Sequence, residues 1–414
     1  MESGRRVLTR RISPFVTLCL MGGLAILSST MAKNPALPLF IRSMGVPQAT
    51  VGFIAAASTV VGIIVSIPAG VLSDLIGRRK ILLLSMFVFA SAPFLYLLVQ
   101  TPGHLVLVRI YHGLATAILG PVAMATVADF FDARRGERMG WYSSATMVGR
   151  FLAPTIGGLL IFGENFRWVY LADGVAGLLA LLAALSLPRM GLNSSAGQDP
   201  GAELRRSWNT VRADLGVLFR NMALLATSLI EAAQYFAFGF VEVFLPIYLN
   251  EQLRLAAWQI GLLFTAQIVV VALSKPFTGR LSDRIGRIPL ITGGLFLCAI
   301  TMVLMPLTGI YPILMALIAV FGLGMAAVTA STSAFVADLS RATTHGAALG
   351  TLSSIMDVGH SMGPMVGGLM VAALGYQSAF GYIAVGLLVV AALYGWRVPR
   401  AVPTMPVRPG AVGR

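Results

Sequence analysis

Apolar runs of about twenty residues follow one another along almost the whole chain, and they decide what it can fold into. A helix that crosses lipid needs about 20 mostly apolar residues. Roughly twelve such runs can be read, at 14–39, 50–73, 81–100, 104–129, 139–162, 167–187, 222–249, 258–281, 289–309, 312–337, 346–373 and 378–396. Only 11% of the 414 residues are charged, against about 25% in a soluble domain, so most of the surface must face hydrocarbon. The runs are apolar on all faces, which excludes the alternating strands of a lipid-facing barrel. Helices remain, because they satisfy their own backbone groups.

The net charge of +14 invites a nucleic-acid reading, but the basic residues are scattered over short loops and not gathered on one face. Orientation explains them. With the N-terminus cytoplasmic, the same side collects Arg5, Arg6, Arg10 and Arg11, then Arg78, Arg79 and Lys80, then Arg134, Arg135 and Arg138. It also collects Arg189, Arg205, Arg206, Arg212 and Arg220, then Arg280, Arg284 and Arg287, then Arg341, and finally Arg397, Arg400, Arg408 and Arg414. The opposite loops hold Arg42, Arg167 and Arg254, while Lys33, Arg109, Arg150 and Lys275 lie in or at the rim of spans. The positive-inside rule then places both termini in the cytoplasm, which requires an even number of spans. The basic start followed by an apolar run is read as a first span inserted without cleavage. Cys19 and Cys298 both fall in apolar runs and suggest neither a disulfide framework nor a metal site.

The polar stretch 188–221 reads as a linker, with about six spans on each side. The expected organisation is a tail over 1–13, a six-helix bundle over 14–187, the linker, a second bundle over 222–396 and a tail over 397–414. The halves echo one another. Gly70 and Gly279, Asp74 and Asp283, Gly113 and Gly322, and Asp129 and Asp338 are each 209 residues apart, and Pro154 and Pro364 are 210 apart. Duplication with a site at the interface of the repeats is a transporter pattern.

"GVLSDLIGRR" at 70–79 returns as "GRLSDRIGRI" at 279–288. Gly70, Asp74, Gly77, Arg78 and Arg79, and again Gly279, Asp283, Arg284, Gly286 and Arg287, resemble the loop signature G-x-x-x-D-R-x-G-R-R of the major facilitator superfamily. Leu75 and Ile288 stand where that family usually has arginine. Gly149, Pro154, Gly157 and Gly158 in span five, and Gly359, Gly363, Pro364, Gly367 and Gly368 in span eleven, are similar to that family's G-x-x-x-G-P-x-x-G-G antiporter motif, with Ala153 replacing a glycine in the first copy. Arg109 followed by Gly113 resembles its Arg-x-x-x-Gly pattern in span four. The resemblance implies two pseudo-symmetric six-helix bundles that rock about a central cavity, a latch at their cytoplasmic ends formed by the loop signature, and a part for Arg109 in proton transfer. Apart from the resemblance, glycines at spacing four make a smooth face for close helix approach, and Gly77 and Gly286 can end a helix with a positive φ.

A charge at mid-bilayer costs at least about 2.5–3.5 kcal/mol on insertion scales, so its default reading is functional. Glu231 lies near mid-depth of span seven, with Tyr235 and Phe238 on the same helix face and Glu242 nearer the outer end. A carboxyl beside aromatics in a cavity can hold a proton or pair with a cationic, apolar substrate. Asp357 and His360, three apart on span eleven, are expected to form a protonatable pair. Arg150 answers His360, and Asn34 answers Glu242, near the repeat offset. Asp173 and Lys275 lie nearer the span ends, where they are expected to snorkel.

These features are read together as a proton-coupled exporter of small amphipathic compounds, similar to the drug:proton antiporters of that family. Two alternatives stay open. One is a proton-coupled transporter of a specific metabolite, such as a sugar or organic acid, in either direction. The other is a membrane sensor or receptor without transport. No enzyme, cofactor, metal or nucleic acid is expected. The expected partners are a small-molecule substrate, protons and the lipid bilayer, for a monomer that the family resemblance places in a bacterial cytoplasmic (inner) membrane.

Overall fold

The computed structural model describes residues 13–130, 134–188, 201–202, 205, 208–209, 222–339 and 345–401. Arg5, Arg6, Arg10 and Arg11 of the expected N-terminal tail, Arg189, Arg206, Arg212 and Arg220 of the linker, Arg341, and Arg408 and Arg414 lie outside the described residues. Arg205 is described, and the last helix runs past the expected bundle end at 396 to Ala401, carrying Arg397 and Arg400 of the expected C-terminal tail.

The described chain is all-α. Its helices are α1 (Pro14–Lys33), α2 (Ala36–Ser43), α3 (Gln48–Ile76), α4 (Arg78–Tyr96), α5 (Pro102–Phe130), α6 (Arg135–Leu159) and α7 (Arg167–Leu185), then α8 (Met222–Glu251), α9 (Ala257–Ile285), α10 (Arg287–Leu304), α11 (Tyr311–Leu339), α12 (His345–Leu374) and α13 (Tyr376–Ala401). Among the described residues the only β pairing is an isolated bridge between Phe162 and Asn165. The first expected span is interrupted and longer than the apolar run at 14–39. Pro35 falls between α1 and α2, since proline lacks an N–H to donate and restricts the residue before it. With α1 and α2 counted as one, the described residues form twelve long helices.

Ten of these are long and apolar enough to cross a membrane on composition alone. The two that fall short, α6 and α12, are rich in glycine, serine and threonine and carry Arg150 and the Asp357–His360 stretch. They are also the helices on the seam between the halves: α6 packs on α9, and α12 packs on α3.

Helix contacts repeat across the two halves. α1 packs on α6 as α8 packs on α12, α3 on α5 as α9 on α11, and α4 on α7 as α10 on α13. Backbone meets backbone along the seam. A Cβ on Gly261 would run into the Pro154 carbonyl, one on Gly158 into the Ala257 carbonyl, and one on Gly52 into the Pro364 carbonyl. These approaches lie toward the end that carries Arg42 and Glu251, called here the far end. At the other, basic end, a Cβ on Gly70 or on Gly279 would meet nothing within 4 Å. The close backbone approaches between the halves, at Gly52, Gly158 and Gly261, thus lie toward the far end.

The turns that carry the repeated signature are built alike. Gly77 between α3 and α4 has φ 107° and Gly286 between α9 and α10 has φ 98°, a region that favours glycine. Each lets the chain reverse directly into the next helix.

Candidate functional site

Span seven becomes α8, whose apolar residues bury it against α12 and α13 and carry its two acids inward. Glu231 is 2% exposed. Its carboxylate accepts a hydrogen bond from the Thr332 hydroxyl of α11. Lys275 of α9 stands close enough to feel its charge, and Arg150 of α6 close enough to feel that of Lys275. Arg150 is exposed, yet it lies within electrostatic reach of Tyr235. Its side chain thus faces the space between the halves and not hydrocarbon. Lys275, expected to snorkel to a span end, instead joins this central group.

Toward the far end a second group forms around Glu242. The Lys33 ammonium of α1 lies 2.8 Å from its Oε2, and His360 Nε2 of α12 lies 2.9 Å from the same oxygen. One carboxylate oxygen therefore holds partners from both halves. The expected pairing of His360 with Asp357 gives way to this bond, because the imidazole points across to α8. Asp357 still lies within electrostatic reach of His360 and Lys33. The His360 ring stacks on Phe238 with centroids 5.5 Å apart and an interplanar angle of 11°, and meets Tyr235 edge-on at 6.2 Å. Tyr235, Phe238 and His360 thus form one aromatic cluster between Glu231 and Glu242. Asn34 sits next to Lys33, buried, with Oδ1 unpartnered among the described residues.

Arg42 and Glu251 close the far end itself. Arg42 Nε donates to Glu251 Oε1 at 2.7 Å, and Tyr376 donates to Glu251 Oε2 at 3.0 Å. Nearby, Thr265 of α9 donates to the Phe151 carbonyl at 2.8 Å, and Thr155 of α6 donates to Thr265 Oγ1 at 2.8 Å. These bonds fasten α6 to α9 beside Pro154 and Gly261.

At the basic end each copy of the signature builds the same device. Arg78 donates to Asp129 at 3.1 and 3.0 Å and lies 2.5 Å from Asp74. Arg287 donates to Asp338 at 3.0 Å and lies 2.5 Å from Asp283. Both arginines also donate to a serine hydroxyl, Ser73 or Ser282. Each arginine therefore ties the end of one helix to another helix of its own half, α3 to α5 and α9 to α11. Arg79 donates to the carbonyls of Leu187 and Leu185 at 2.8 and 3.0 Å, capping the end of α7. Arg284 is exposed. The serines went unread in the sequence although both copies carry them, directly before the aspartate.

The small-residue motifs act as contact faces. A Cβ on Gly149 would meet the Gly23 carbonyl of α1, and one on Gly359 or Gly363 would meet α8 carbonyls at Ala232 or Phe236. Gly157 lies against Met31, Gly367 against the Phe240 ring, and Gly368 against Gln48 at the start of α3.

Arg109 is 3% exposed on α5. It donates to the Ala55 carbonyl at 2.7 Å and to Ser58 Oγ, both on α3. This places it inside the N-terminal half, away from the Glu231 group. Asp173 overturns the snorkelling expectation: it is 0% exposed. Its position seven residues into α7 suggested a rim, but Gly174 and Gly177 let that helix settle directly onto Phe94 and the Phe89 carbonyl of α4, sealing the carboxyl in.

The chain matches the Major Facilitator Superfamily model over residues 18–241 and 227–413, which spans both halves. The chain belongs to the Major Facilitator Superfamily. Its relatives in that superfamily differ in what their names say they carry. It is 24% identical to the riboflavin transporter RibZ of Clostridioides difficile, covering 65% of this chain and 69% of that one. It is 23% identical to multidrug resistance protein 1 of Bacillus subtilis, covering 81% of this chain and 84% of that one. Among solved structures it is similar to a bacterial homolog of the human lysosomal transporter Spinster in an inward-facing, unoccupied conformation. That likeness has a TM-score of 0.77 at 17% identity, over 95% of this chain and 98% of that one. As a superfamily member, the protein is a multi-pass membrane transporter of small molecules.

Proposed function

We propose that this transporter is a proton-coupled exporter of small amphipathic, cationic compounds, working by alternating access. The observation that carries the reading is Glu231. A carboxyl 2% exposed on α8 stands beside the Tyr235–Phe238–His360 cluster, at a depth where an acid is otherwise costly. An apolar cation gains from both parts: a counter-charge, and ring faces worth about 0.5–2 kcal/mol to a desolvated cation. Proton and cation compete for the same carboxyl, and that competition couples their opposite movements. Binding must differ between the two conformations for this to drive transport. The kinship with a multidrug resistance protein supports the same substrate class.

In this reading the basic end faces the cytoplasm with both termini, and the far end faces outward. The bundles over 14–187 and 222–396 move as two bodies in a bacterial cytoplasmic membrane, and one chain suffices. The structure then represents the state open to the cytoplasm. Gly70 and Gly279, at the helix ends carrying the repeated signature, are the faces that close on the other half in the opposite state.

The test is export of a fluorescent lipophilic cation from cells that express the protein. Wild type is expected to lower cell-associated dye, and Glu231→Gln at equal membrane level is expected to abolish that effect. Equal export by both proteins contradicts the reading. The kinship with a riboflavin transporter favours one further arm, in which a neutral metabolite replaces the dye.

A further inference from the structure

The N-terminal half contains a buried polar core that the central group does not use. Asp173 of α7 and Ser28 of α1 are both 0% exposed. The Ser28 hydroxyl is the one group placed to donate to the Asp173 carboxyl, at a geometry too loose for a well-formed bond, so that both oxygens lack a good partner among the described residues. Unmade donors surround the same place. Tyr170 OH, His112 Nε2 and Arg109 Nε are also buried and unpartnered. Tyr96 and Tyr170 stack face to face, centroids 4.5 Å apart and 4° from parallel, and both tyrosines lie within electrostatic reach of Asp173 and of Arg109. Tyr96 OH lies 3.4 Å from His112 Nδ1.

Buried polar groups in folded proteins are nearly always hydrogen-bonded. Here the carboxyl has only the Ser28 hydroxyl in reach, while Tyr170 OH, His112 Nε2 and Arg109 Nε on the same core stay unused. A bare carboxylate in such a place is heavily penalised, whereas a neutral carboxylic acid is tolerated. Ser28 of α1, Tyr96 of α4 and Tyr170 of α7 lie within electrostatic reach of Asp173, Arg109 of α5 lies within reach of both tyrosines, and His112 of α5 within reach of Arg109. Arg109 alone among them is a permanent cation, and its Nε–H is unused.

We infer that Asp173 is a proton-binding site of the N-terminal half, sealed from the space between the halves, which gives up its proton when the half rearranges to pair it with Arg109. In the described state the carboxyl carries the proton. In the other state its O–H bond breaks, the proton passes to water, and the carboxylate takes the Arg109 Nε–H and the Tyr170 hydroxyl as donors. The inference rests on the surroundings of Asp173 alone and does not depend on the substrate proposed above.

Infrared spectroscopy of the full chain in lipid tests it, because the carbonyl stretch of a protonated carboxyl is resolved from that of a carboxylate. At neutral pH the wild type is expected to show a protonated-carboxyl component that Asp173→Asn removes and Glu231→Gln leaves in place. Asp173→Glu should shift that component, and so should Tyr170→Phe if the asparagine variant does not insert. A protonated-carboxyl band unchanged by Asp173→Asn, or unshifted by Asp173→Glu and Tyr170→Phe, overturns the inference. Failure of dye export in the wild type would instead count against the substrate reading and leave this band intact.

Discussion

Lys33 on α1 and Glu242 on α8 are joined by an ion pair of 2.8 Å, so the two halves share one carboxylate at the far end. The side chains are 27% and 12% exposed, largely out of water. Removing one partner of a buried pair costs about 3 kcal/mol or more because the other charge is left behind, and 1.4 kcal/mol is about tenfold in an equilibrium. Because His360 still holds Glu242 after Lys33→Met and Lys33 is partly solvated, the cost stays below that figure, and the open-to-closed ratio of the far end is expected to rise by up to about a hundredfold. Spin-label distances across that end measure it. A distribution identical to wild type contradicts the assignment.

Glycines at the two ends should respond oppositely to a single methyl group. Gly261→Ala places a Cβ against the Pro154 carbonyl, so it should pry α9 from α6 and favour the far-end-open state. Gly70→Ala meets nothing in the described state and should leave its thermal stability within about 0.5 kcal/mol, as for an ordinary surface change. Because the opposite state brings the basic ends together, Gly70→Ala should nevertheless slow transport. Cysteine accessibility at each end, with uptake assays, separates the two outcomes.

Arg78 carries a forked bond to Asp129 and an ion pair to Asp74. Lysine cannot reproduce the fork, so Arg78→Lys should behave much like Arg78→Ala. Both carboxylates are partly solvated, which keeps the expected loss of thermal stability to about 1 kcal/mol. Arg287→Lys should mirror it through Asp338. A full rescue by lysine at either position would show that charge alone suffices.

The aromatic cluster should set apparent affinity more than rate. Phe238→Ala removes the ring stacked on His360 and a face for the substrate cation, worth about 0.5–2 kcal/mol. The expected result is a KM for a lipophilic cation raised about 2- to 30-fold with the maximal rate little changed, the pattern of lost uniform binding. Transport kinetics in vesicles read both values.

Much of this was legible in the sequence, for a physical reason. Apolar runs report helices that face lipid, and repeated residues at one offset report a repeated body; both signals are local or periodic. The paired signature even fixed which turns would carry positive-φ glycines at Gly77 and Gly286. Partner choice was not legible, because it depends on which helix lies opposite. His360 looked matched to Asp357 by spacing on its own helix, yet it bonds Glu242 on another. Asp173 looked like a rim residue by position, yet two glycines after it bring α7 down onto α4. The serines before Asp74 and Asp283 could have been read from the repeat itself, since both copies keep them where Arg78 and Arg287 bind.

The most direct measurement is flux in liposomes holding the purified protein, with a lipophilic cation on both sides and an imposed pH gradient. The account predicts uphill cation movement opposite to the proton flow, abolished by a protonophore. It also predicts no such movement in Glu231→Gln at equal protein content. Uphill movement that survives the protonophore, or that Glu231→Gln sustains at the wild-type rate, would contradict it.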